Sequence, residues 1–183
     1  MRYWSRSVLS IYKYLATMAH TIDKLVVDIG KSSNSPLLQR YQSTYCQASK
    51  IIELMDRKRK MINLKVAFED TLNKWDKTSK RILTLVFIDG VKSELVAQIL
   101  GISVRNFFRK KNSALDEFAS MFQYKGFDDE FFKKEYSCEK WFMSVYDVCI
   151  SRNSSSEDMM DKQLVKSVIH EVSKIDFAYN VYV

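Results

Sequence analysis

The chain has 183 residues, enough for one compact domain with extensions and for a core that needs no disulfide or metal staple. Apolar residues make up 46% and aromatics 13%, which excludes a wholly disordered chain. Four glycines and one proline are too few for the many tight turns of all-β or dinucleotide-binding α/β folds. The formal charge of +7 is uneven: residues 1–65 carry +8, 66–125 carry +3 and 126–183 carry −4. A basic front suits a polyanionic partner or simply a solvated surface.

The composition and periodicity predict an all-α protein: long N-terminal helices over 1–75, a shorter helical module over 76–125, and an acidic helical extension over 126–183. In residues 3–29, Trp4, Val8, Ile11, Leu15, Met18, Ile22, Leu25 and Ile29 follow each other at alternating steps of four and three. That is a heptad stripe on one face of a helix. It packs within its own domain or forms the seam of a homodimer. Gly30 is expected to end this helix, and KSSNSP at 31–36 reads as a loop.

A second long helix is expected from about 37 to 75, with Tyr45, Ala48, Ile52, Met55, Ile62 and Val66 as its apolar stripe. Arg57, Lys58, Arg59 and Lys60 crowd four cations into one turn, which is either a solvated turn or a patch that faces phosphates.

The segment 77–125 carries the densest signal. Ile82, Leu83, Leu85, Val86 and Phe87 make a short apolar helix closed by Asp89 and Gly90. A brief helix follows, with Leu95, Val96, Ile99 and Leu100 facing inward and small Ala97 where helices approach closely. Gly101 supplies a turn, Ile102 plugs the core, and Ser103 is placed to cap the next helix. That helix buries Phe107, Ala114, Leu115, Phe118 and Phe122. Short helix, glycine turn and capped longer helix make the pattern of a helix-turn-helix.

Beyond it, Asp128 caps a helix over about 129–150 that buries Phe131, Phe132, Trp141, Phe142, Val145 and Cys149. A polar linker at 151–156 leads to a last amphipathic helix at about 157–176 with Met160, Leu164, Val168, Val172 and Ile175.

The residues at 83–90 (LTLVFIDG), 94–103 (ELVAQILGIS) and Ala114-Leu115 resemble region 4 of the sigma-70 family and the related small regulators of Gram-positive bacteria and their phages. The resemblance covers about 50 residues with unbroken spacing from Leu83 to Leu115. It implies a sequence-specific, double-stranded-DNA-binding transcription regulator whose second helix enters the major groove. RNA polymerase is a second partner that the resemblance implies. Two departures from the family pattern are Lys92, where a Ser or Thr cap is usual, and the apolar Val104 and Phe108 on the reading helix.

The residues themselves fit that expectation. Val104, Arg105, Asn106, Phe108 and Arg109 are the candidate base readers: arginine pairs with guanine O6/N7, asparagine with adenine, and an apolar side chain meets a thymine methyl. Lys92, Ser93, Ser103, Lys110 and Lys111 are the candidate phosphate contacts. Phe107 reads as core, whereas Phe108 is either core or reader. Other readings are a sigma-like factor that recruits polymerase, and a helical module for protein interaction or phage DNA packaging.

No phosphate loop, HExxH or GxSxG motif is present, so no enzyme is expected. Cys46, Cys138 and Cys149 are scattered and only His20 and His170 join them, so neither a disulfide framework, a metal site nor a cofactor is expected. The start lacks a convincing signal peptide and no apolar run reaches a membrane span, so a cytoplasmic protein without a membrane partner is expected.

Overall fold

The computed structural model describes residues 3–32, 44–151 and 165–170. The protein is all-helical. Helix α1 spans Tyr3–Ser32, α2 Thr44–Asn73, α3 Lys77–Leu83, α4 Ser93–Ile99, α5 Val104–Tyr124, α6 Asp129–Tyr136 and α7 Lys140–Ser151. A π-helical turn, Thr84–Ile88, continues α3, and residues 165–170 are helical. No helix among the described residues is long and apolar enough to cross a membrane.

The heptad stripe of α1 is taken up inside the chain. Trp4, Val8, Ile11, Leu15, Met18, Ile22 and Ile29 are buried and Leu25 is partly so. The stripe therefore packs within the domain and is not itself open as a dimer seam. Gly30 does not end α1, because the helix runs two residues past it. The α1–α2 pair is antiparallel, since Tyr12 bonds Glu69 while Lys58 reaches back to Asp23.

The stripe expected on α2 is on the wrong side. The buried face is Gln47, Leu54, Met61, Leu64, Phe68, Thr71 and Leu72. Tyr45, Ala48, Ile52, Met55, Ile62 and Val66 all face outward. The helix has apolar residues on both sides, so periodicity alone does not say which side α1 covers. The start expected at 37 lies outside the described residues, and the end falls at Asn73.

Caps and turns follow local chemistry. Asp76, just after Trp75, accepts from the N–H groups of Thr78 and Ser79 and starts α3. Asp128 accepts from Phe131 N at 2.8 Å and starts α6. The helix expected over 129–150 is broken, however, by a turn at Ser137–Glu139. Both α4 and α5 end in a left-handed glycine, Gly101 (φ 65°) and Gly126 (φ 85°). In each case the glycine N–H and the following N–H close a Schellman motif: Gly101 to Gln98 and Ile102 to Ala97, then Gly126 to Gln123 and Phe127 to Phe122. The Phe127 and Phe122 rings, 5.0 Å apart, supply the apolar contact that accompanies that motif.

One core joins these elements. Trp4 of α1 stacks on Phe132 of α6 at 5.1 Å and approaches Phe122 of α5 at 6.0 Å. Phe118 contacts both Phe68 and Trp75 of α2 and its end. Val165 and Ile169 are buried, whereas Met160, Leu164, Val172 and Ile175 of the expected last helix lie outside the described residues.

Burial and neighbouring carboxylates raise two tyrosines. Tyr12 is pushed up to about 12 by burial and by its bond to Glu69. Tyr136 is raised by burial with Glu139 and Glu135 nearby. Hydrogen bonds from Lys65 and Tyr12 hold Glu69 below the usual carboxylate range, and Lys125 does the same for Asp70.

Candidate nucleic-acid interface

The surface of interest is built by α4, the turn Leu100–Ser103 and the first half of α5. The Schellman turn at Gly101 sets the direction of the chain. Ser103, in extended backbone (φ −64°, ψ 149°), then accepts from Asn106 N at 3.2 Å, so α5 starts at Val104. Phe107, Lys111, Ala114, Leu115, Phe118, Ala119 and Phe122 bury one side of α5 and fix its rotation. The opposite side is exposed from its first turn.

On that side Arg105 and Arg109 stand one turn apart, both exposed. Neither has a carboxylate partner among the described residues. Arg109 instead donates from Nη2 to Asn106 Oδ1 at 3.1 Å. The asparagine oxygen is thereby engaged, which makes Asn106 a support for Arg109 and leaves it short of the free amide edge that adenine recognition needs. Val104 is exposed at the helix start. Phe108 is half-buried, edge-on to Phe107 with ring centres 5.3 Å apart, and packs on the core. It belongs more to the support of α5 than to its exposed face.

Two of the expected phosphate contacts are elsewhere. Lys111 is buried (5% exposed), with its ammonium 5.3 Å above the Phe108 ring. Ser93 is also buried at the start of α4 and does not act as its cap; the cap position is Lys92, which makes no side-chain capping bond. Lys92 and Ser103 are exposed and Lys110 is half-exposed, so these remain accessible.

Leu95 and Ile99, expected to face inward, are exposed on α4; Val96 and Ala97 provide its inner face. Asn112 continues the exposed ridge of Arg105 and Arg109 at the next helical step, three residues past Arg109. The same ridge then reaches exposed Asp116, beside Glu117. Their negative charge disfavours contact of a polyanion with the second half of α5.

Each of the four cations of α2 has a carboxylate neighbour, and they point in several directions. Lys60 donates to Glu139 Oε1 at 2.9 Å and to the Glu135 carbonyl at 2.8 Å. Arg57 donates to Glu53 at 2.9 Å and has its Nε 3.6 Å from Glu139. Lys58 pairs with Asp23, and Arg59 with Asp56 at 3.1 Å. Glu139 is buried and also accepts from Trp141 Nε1 at 2.9 Å. Arg57 and Lys60, through Glu139, clasp α2 to the α6–α7 turn, whereas Lys58 ties α2 to α1 and Arg59 pairs within α2.

No group of three His, Cys, Asp or Glu placed to hold a metal ion occurs among the described residues. Comparison with known proteins finds no matching family model, no matching curated protein and no matching solved structure.

Proposed function

We propose that the chain is a sequence-specific regulator of transcription that binds double-stranded DNA in the manner of sigma region 4, with α5 in the major groove. The observation that carries this reading is the pair Arg105 and Arg109, exposed on the first turns of a Ser103-capped helix and without carboxylate partners among the described residues. Guanidinium groups in this position suit guanine edges, and Val104 suits a thymine methyl. Lys92, Lys110 and the Ser103 turn hold the flanking backbone; each lysine contact contributes a slope of about −0.9 to log K against log salt.

The test is selection from a pool of random-sequence duplexes by the full chain. A shared short motif, bound more tightly than the starting pool, is the expected outcome. Recovery of unrelated sequences with no gain in affinity would refute sequence-specific reading. The exposed Leu95 and Ile99 favour a second reading, in which α4 docks on a protein such as RNA polymerase. Co-purification with core polymerase, lost in a Leu95→Ser/Ile99→Ser variant, would support it.

A further inference from the structure

The outer face of α2 is unexplained by anything above. Tyr45, Ala48, Ile52, Met55, Ile62 and Val66 are all exposed there, Tyr45 by 82%, Ile52 by 65% and Val66 by 56%. Their steps are three, four, three, seven and four, and Arg59 divides the step of seven into four and three. This is an unbroken 3.5-residue period from 45 to 66, over about 31 Å of helix. The face that packs on α1 is the opposite one, through Gln47, Leu54, Met61 and Phe68. A surface with a coiled-coil period fits another helix of the same period, and α2 of a second copy has it by construction.

We propose that this face is the seam of a homodimer in which two α2 helices pair antiparallel about a two-fold axis level with position 57. In that register Ala48 lies opposite the partner's Val66, Ile52 opposite the partner's Ile62, and Met55 opposite the partner's Arg59. All the apolar positions from 48 to 66 are then covered. Charge selects the orientation. A parallel pair in register stacks Arg59 on the partner's Arg59. The antiparallel pair lays the Arg59 stem on the partner's Met55, with its head already paired to Asp56 and near the partner's Asp56.

This pairing does not depend on DNA binding, and its test uses no nucleic acid.

Sedimentation velocity of the full chain at micromolar concentration is expected to give a dimer. The Ile52→Glu/Ile62→Glu variant is expected to give a monomer with unchanged helical circular dichroism. A monomeric wild type, or a variant that still dimerises, overturns the proposal. Orientation is read with Cys46→Ser/Cys138→Ser as background. Copies bearing Ile52→Cys and copies bearing Ile62→Cys should form a disulfide when mixed and none when separate. Cross-linking within either separate sample, or no mixed 52–62 disulfide in the mixture, overturns the antiparallel arrangement. Should the glutamate variant unfold, the cysteine mixture decides.

Discussion

Replacing Glu139 by Gln tests the assignment of the α2 cations to structure. The Glu139 side chain is only 7% exposed, and it faces Arg57 (16%) and Lys60 (26%). The amide keeps one acceptor where the carboxylate had two. It can serve Lys60 or Trp141 but not both, and its NH2 points at the remaining donor. One charge-assisted bond is lost and a shielded cation is left without its counter-charge. The cations are not fully buried and can turn partly towards water, so the cost falls below the roughly 3–5 kcal/mol of breaking a fully buried pair, at about 2 kcal/mol. For a chain of this size that lowers Tm by roughly 4–8 °C. Urea unfolding and thermal melts followed at 222 nm give the number. Glu53→Gln is the control: Glu53 is largely exposed and its pair with Arg57 is worth about 0.5 kcal/mol or less. Equal, small effects of the two substitutions would refute the clasp.

The remaining predictions concern turn strain and pH. Gly101→Ala meets no neighbour within 4 Å but must hold φ 65°, so it should cost about 1 kcal/mol and lower Tm by roughly 2–4 °C; an unchanged melt would refute the strained turn. Tyr12 holds its proton to about pH 12 in the fold, against its ordinary 10. Its contribution to stability is therefore complete below pH 10 and falls as pH rises from 10 towards 12, because the unfolded chain releases the proton first. Tyr12→Phe should lessen that alkaline fall in melts run between pH 9 and 11; an identical fall in both proteins would count against it.

What was legible in the sequence was local or one-sided. The α1 stripe is legible because its polar positions leave a single apolar face. Ser103 and Asp128 are legible because a cap acts within one turn. The inner face of α2 is not, since two apolar stripes compete and only contact with α1 chooses between them. The fate of Arg57 and Lys60 is not legible either: their partner, Glu139, is some 80 positions away in sequence. The break between α6 and α7 carries no glycine or proline to announce it. Gly30 misleads in the opposite sense, as a helix interior tolerates glycine at modest cost. Lys111 reads as one more cation in a basic run, yet helix rotation, set by Phe107 and Ala114, carries it inward over Phe108.

The claim that α5 reads DNA is tested most directly by fluorescence anisotropy on a duplex recovered by selection. Wild type is compared there with Arg105→Ala/Arg109→Ala. If each arginine meets a base, each contributes about 1–3 kcal/mol, so the double variant should bind at least about 30-fold more weakly and lose its preference over an unrelated duplex. Equal affinity and undiminished preference in the double variant would contradict the account.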